Sequence, residues 1–203
     1  MSDSDPSLSK AFALAPWRSP LARALHRNRS QPHSRYFQLA TINPEGRPAN
    51  RTVVFRGWLP DTNTLTLITD HRSAKVADIA ALPWAEACWY FTTTREQFRL
   101  AGPIQLVHGA DRDAALTFAR QKTWEALSDK ARQQFYWPPP AQPRSADPAF
   151  ETRTVDETPP ADFCLVLLTP HQVDHLELRG DPQNRTLYSR SADALWQVDA
   201  VNP

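Results

Sequence analysis

Arginine, lysine and glutamine recur in this chain at the ends and inside of runs that otherwise read as apolar β-strands. Arg51 opens the run R-T-V-V-F-R and Arg56 closes it. Ser73 and Lys75 stand where a helix should begin, just after T-L-T-L-I-T-D-H, and Gln97 and Arg99 interrupt Q-F-R-L-A-G. Arg185 precedes T-L-Y near the end. Cationic side chains beside a helix N-terminus are what a phosphate monoester dianion requires, and a strand amide can serve the hydrogen-bonding edge of a heterocycle. Taken singly, each residue also fits an ordinary role, as a charge guarding a sheet edge or as a helix cap. Taken together they point to a phosphorylated planar ligand.

Other chemistries find no foothold. The five glycines are scattered, so neither G-x-G-x-x-G nor G-x-x-x-x-G-K-[ST] occurs, and side chains or a helix start must hold any phosphate. G-x-S-x-G and H-E-x-x-H are also absent, and the six histidines are dispersed, each reading as a surface or half-buried residue. Cys88 and Cys164 lie in apolar runs, as buried reduced thiols without metal spacing. No metal site and no general base is assignable.

Such side chains need a scaffold. The helix signals are Ser19-Pro20 ahead of L-A-R-A-L-H-R-N-R, Ser73 ahead of A-K-V-A-D-I-A-A-L, and helical spacing over 111–136 with a further start at Ser128-Asp129. Strands are expected at 35–43, 48–58, 64–70, 86–93, 97–107, 162–168, 172–179, 186–190 and 194–201. The first three read as an antiparallel meander. Nothing alternates as β-α-β-α, which favours an antiparallel barrel or sandwich with peripheral helices over a doubly wound parallel sheet. Of the 19 prolines, seven fall within 138–160, which reads as a loop or arm. There Trp137 reads as an anchor for the loop. The whole, 1–203, is expected to be one domain.

Composition bounds the partners. Lys+Arg number 23 against 22 Asp+Glu, for a net charge of +1, so no polyelectrolyte partner is implied. The stretch from Pro6 to Pro44 carries no acidic residue, while Lys10, Arg18, Arg23, Arg27, Arg29 and Arg35 are basic. It reads as a solvated basic helix, with an anion-facing or nucleic-acid-binding surface as the alternative; no recognised nucleic-acid module accompanies it. The N-terminus lacks the pattern of a signal peptide, and the longest apolar run, Phe163–Leu168, is too short for a membrane span. The expectation is a soluble cytoplasmic protein.

Four blocks in order carry a resemblance: R-T-V-V-F-R, L-I-T-D-x-x-S-x-K, E-Q-F-R-L-A-G, and N-R-T-L-Y-S-R followed by W-Q-V-D-A-V-N-P. The sequence resembles the FMN-binding split barrels of the pyridoxamine 5′-phosphate oxidase family, from about Trp17 to Pro203. The resemblance implies a mainly antiparallel, Greek-key-type split β-barrel with peripheral helices, and FMN as cofactor. It implies that Arg51 and Lys75, beside Ser73, hold the FMN phosphate. Val53 and Val54 would line the flavin through the backbone, with Ile68 and Thr69 ending the next strand at the cofactor. Gln97 would bond the flavin ring and Arg185 would lie near it. Arg56 stands where the family has a lysine used on the substrate side. A homodimer with FMN at its interface is implied, as is hydride transfer from the amine or alcohol of a pyridoxine phosphate to the flavin, with oxygen as reoxidant. Trp137 could then stack near the flavin instead of anchoring the loop.

Three departures qualify this. The family's S-R-K is Ser73-Ala74-Lys75 here, with Arg72 the nearest substitute. Arg56 replaces the lysine. The substrate-binding R-x-H segment is represented by Asp181-Pro182-Gln183-Asn184. The cofactor half is kept and the substrate half is not. The reading is an FMN-dependent oxidoreductase acting on a small molecule, and the alternative is a non-catalytic FMN or haem carrier or sensor.

Overall fold

The computed structural model describes residues 14–203. Lys10 and the stretch bearing on a signal peptide lie outside the described residues. The elements run α1 (Arg18–Arg27), β1 (Tyr36–Ile42), β2 (Pro48–Val54), β3 (Gly57–Trp58), β4 (Leu65–Asp70), α2 (Ala74–Ala81), β5 (Trp84–Phe91) and β6 (Glu96–Val107). They continue with α3 (Ala114–Glu125), α4 (Asp129–Gln133), β7 (Phe163–Leu168), β8 (Gln172–Glu177), β9 (Asn184–Arg190) and β10 (Trp196–Val201).

Every strand pair is antiparallel, as expected of a barrel with peripheral helices. The main path runs β10-β9-β8-β6-β5-β1-β2, and a branch runs from β6 through β7 and β4 to β3. The long β6 belongs to both. Its first part pairs with β5 and β8, and Ile104–Val107 pairs with β7. Gly102 sits just before that handover, where an added Cβ would lie 2.1 Å from the Thr169 carbonyl oxygen. Only a residue without a side chain admits that approach.

The first three strands are not a simple meander. The β1–β2 hairpin forms around Asn43–Arg47, with Gly46 at φ +76. The chain then leaves the sheet at Phe55, and β4 pairs with β3 and β7, not β2. The reason is burial: β7 is covered on both faces and β4 on most of both, so each satisfies its backbone best in the interior. Other details also move. Helix α1 starts at Arg18 with no side-chain cap, so Ser19 is not its cap. The 111–136 region divides into α3, α4 and a 3-10 turn at Gln134–Tyr136, with Asp113 and Ser128 as side-chain caps.

The central core packs Trp17, Phe37, Trp89, Phe91 and Phe98 between the curled sheet and α1. A second cluster, Trp124, Phe135 and Phe163, fixes the helical region to β7. Arg120, buried, ties that region down by donating to the carbonyls of Phe163 (2.8 Å) and Pro160 (2.7 Å). No described helix is long and apolar enough to cross a membrane.

Candidate functional site

A cleft of about 630 Å³ opens where β2, the end of β4, the first turn of α2 and the proline-rich segment meet. Seven of the ten residues singled out in the sequence line it: Arg51, Val53, Val54, Arg56, Ile68, Thr69 and Lys75. Ser73 lies immediately behind.

The polar end is built from β2, β4 and α2. Lys75 Nζ donates to Thr69 Oγ1 (2.9 Å) and Ser73 Oγ (3.1 Å), and no described carboxylate pairs with it. Burial first, then the charge of Arg51, hold its ammonium below the usual lysine range. Ser73 occupies the N-cap position of α2, yet its hydroxyl makes no capping bond; it faces Thr69 (3.0 Å) and Lys75 instead.

Arg51 is held by a partner that the sequence reading missed. Its Nη2 donates to Asp78 Oδ2 at 2.8 Å, and its Nη1 to Thr41 Oγ1 at 2.6 Å. Thr41 in turn donates to the same Asp78 oxygen at 2.7 Å. Asp78 is 3% exposed. A buried aspartate inside A-K-V-A-D-I-A-A-L resembles any polar helix residue; the available signal is its position three after Lys75, on the same helix side. The Nε–H of Arg51 and the second Nη2–H have no described acceptor, so the guanidinium retains donors for a ligand.

Arg72 does not replace the missing cation. It forms a bidentate pair with Asp70 (3.0 and 2.7 Å), lies 3.3 Å from Asp162, and donates to the Trp137 carbonyl at 3.1 Å. Its donors are committed to fastening the cleft wall. That wall includes Trp137, Pro138, Pro139, Pro140 and Pro143, with Trp137 edge-on to Phe150 at 5.7 Å. Trp137 is therefore both an anchor and a cleft residue. Arg56 lines the cleft with its Nε buried and without a partner among the described residues.

Gln97 and Arg185 lie elsewhere. Along the main path Gln97 is three strands from β2 and Arg185 is five. The register sets Tyr90, Gln97, Leu176, Arg185 and Val201 in one row across the sheet's outer face. Arg185 is bidentate to Asp174 (3.0 and 2.7 Å). One chain thus brings Arg51, Thr69 and Lys75 together and separates them from Gln97 and Arg185.

Two smaller readings change. His175 is buried, not superficial, stacked on Phe98 at 4.0 Å and bonded to Glu96 at 2.9 Å. Burial raises the Glu96 carboxyl, but the bonds from His175 and Thr94 outweigh it and leave it below its ordinary value. Cys164 is buried and its thiol is pushed up to about 11 by that burial, whereas Cys88 is only half-buried.

The geometry can be set beside known proteins. A family model described as "Pyridoxamine 5'-phosphate oxidase, FMN-binding domain" matches residues 14–108. A curated Arabidopsis thaliana protein, "Pyridoxine/pyridoxamine 5'-phosphate oxidase 2", is 36% identical over 196 residues, covering 94% of this chain and 98% of its own length. The crystal structure of a pyridoxamine 5′-phosphate oxidase-related, FMN binding protein from Nostoc punctiforme superposes with a TM-score of 0.91 at 56% identity. That match covers 95% of this chain and 100% of the other. PhzG from Burkholderia lata shares the fold at a TM-score of 0.77 and 17% identity, with 98% of each chain covered.

Proposed function

The chain belongs to the pyridoxamine 5′-phosphate oxidase-like family of FMN-binding split barrels, and from that premise we propose that it is an FMN-dependent oxidoreductase acting on a small molecule. The observation that carries the reading is the Lys75 ammonium: partly desolvated, bonded only to hydroxyls, and next to a second cation with spare donors. A cationic pocket of that kind is stabilised by an incoming dianion.

Arg51 and Lys75, with the hydroxyls of Thr69 and Ser73, would hold the phosphate. The apolar surface of Val53, Val54 and Ile68 and the proline wall would exclude water from the remainder. FMN, when bound, supplies hydride acceptance and the return of electrons to oxygen or another acceptor. The chain's own part is placement: Asp70, the one carboxylate among the described lining residues, is already paired with Arg72, so no proton-transfer role falls to it.

Gln97 and Arg185 enter this reading through a second copy of the chain, whose outer sheet face would close the cleft in a homodimer. The Asp181–Asn184 segment carries no cation, so the reading covers FMN chemistry on a small substrate and does not extend to a pyridoxine phosphate. Haem fits the cleft less well, because its described lining offers no His, Cys, Met or Tyr as axial ligand.

The absorption spectrum of the purified protein tests this, followed by release and identification of what is bound. A flavin spectrum, or its appearance on adding FMN, is expected; a colourless protein that takes up no FMN overturns the reading. Assay with pyridoxamine 5′-phosphate and oxygen then addresses the substrate. Absence of turnover is expected, with FMN binding intact.

A further inference from the structure

A second cavity, of about 650 Å³, lies between α3 and the β3–β4 hairpin and shares Arg56 with the cleft. Its size falls within the roughly 300–1,000 Å³ range of small-molecule sites. Most of its wall is apolar, with Trp58, Leu59, Leu116 and Phe118 the largest contributors. Trp58 is held in place: the Arg18 guanidinium stacks on its ring at 3.5 Å and donates to the Thr62 carbonyl.

The charges in this hollow all have one sign. Arg35, Arg56 and Lys122 line it, and no Asp or Glu does so among the described residues. Lys122 is neutralised by Glu125 at 2.7 Å. Arg35 makes no described side-chain hydrogen bond or ion pair, and the Arg56 Nε is buried without a partner among the described residues. Burial, followed by the charge of Arg35, pulls Arg56 below its ordinary value, so the two guanidiniums act on each other without a compensating anion. A planar guanidinium fork matches a carboxylate in shape and charge, and the indole and phenyl groups offer faces for an aromatic body. Two hydroxyls in the wall, those of Thr62 and Thr123, already donate to the carbonyls of Leu59 and Ala119.

We propose that this cavity binds a small aryl carboxylate, its carboxylate between Arg35 and Arg56 and its ring against Trp58 and Phe118. The proposal does not rest on the FMN reading.

The test is calorimetric titration of the full chain, with and without added FMN, using 2-naphthoate and its neutral analogue 2-naphthamide. Naphthoate is expected to bind at least about tenfold more tightly, the worth of one charge-assisted contact. Arg35→Gln should abolish that preference. Ala115→Trp, on the exposed first turn of α3, should block both compounds while leaving FMN titration unchanged. Equal affinity for the two compounds, or undiminished naphthoate binding by Ala115→Trp, would overturn the proposal. If the chain binds no FMN, the preference for naphthoate should persist, which keeps the two readings distinguishable.

Discussion

At the scale of single residues, the proposed phosphate end of the cleft rests on two cations held in different ways. Arg51 is oriented by Asp78 and Thr41, and Lys75 by hydroxyls alone. Losing either should remove a charge-assisted hydrogen bond, worth about 1.5–3 kcal/mol. Arg51→Ala and Lys75→Ala should therefore each weaken FMN at least about tenfold, measured by fluorescence quenching of added FMN. Unchanged affinity in both would mean that the phosphate lies elsewhere. The pH dependence has a definite sign. Lys75 is held below the usual lysine range by burial and Arg51, while a bound phosphate favours its charged form. As pH rises through that lowered value, the free protein loses the proton, binding must recover it, and affinity falls by up to about tenfold per pH unit. Riboflavin, which lacks the phosphate, should show no such slope, and neither should FMN with Lys75→Ala. The types and order of Arg51, Ser73 and Lys75 were legible in the sequence. Asp78 was not, because a buried aspartate is distinguished only by what folds against it.

At the scale of elements, Arg72 is the fastening that joins the cleft wall to the end of β4. Arg72 joins Asp70 at the end of β4 to Asp162 before β7 and to the Trp137 carbonyl. Arg72→Ala should free the proline-rich segment, and trypsin should then cut at Arg144–Ser145 several-fold faster than in the parent chain, read by mass spectrometry. Equal cleavage would show that prolines and the Trp137–Phe150 contact suffice. A second dependence is on Gly102, where β6 passes from one sheet path to the other. Gly102→Ala forces a methyl group onto the Thr169 carbonyl, with 2.1 Å available. Overpacking of that kind costs about 1–3 kcal/mol, and a lowered urea midpoint with unchanged slope is the expected result. The strands themselves were legible because apolar alternation and turn residues bound them. The exchange of partners after β2 was not. The T-L-T-L-I-T-D run alternates like a half-exposed strand, and only the fully apolar F-C-L-V-L-L, about a hundred residues later, provides the interior surface that buries it.

At the scale of the whole molecule, the outer sheet face remains to be accounted for. Tyr36, Trp84, Tyr90 and Val201 are 47%, 44%, 42% and 38% exposed, and the strand register sets them on the same side as Gln97 and Arg185. Exposed aromatic surface aligned in this way marks an interaction face. The proposed division of the cofactor site between two copies would account for residues that the sequence motifs set in one group occupying two surfaces of one chain. It also makes a prediction that a site contained within one chain cannot mimic. Arg51→Ala and Arg185→Ala homodimers should each bind FMN weakly. Unfolded together and refolded, they form mixed dimers in which one cleft carries both substitutions and the other carries neither. That second cleft should regain the parent affinity, giving up to one tight FMN per mixed dimer in a stoichiometric titration. If refolded mixtures recover no tight site, although sedimentation shows dimers, Arg51 and Arg185 do not serve a shared cleft. If each chain sediments as a monomer and still binds FMN tightly, the site is complete within one copy, and Gln97 and Arg185 serve the outer face alone.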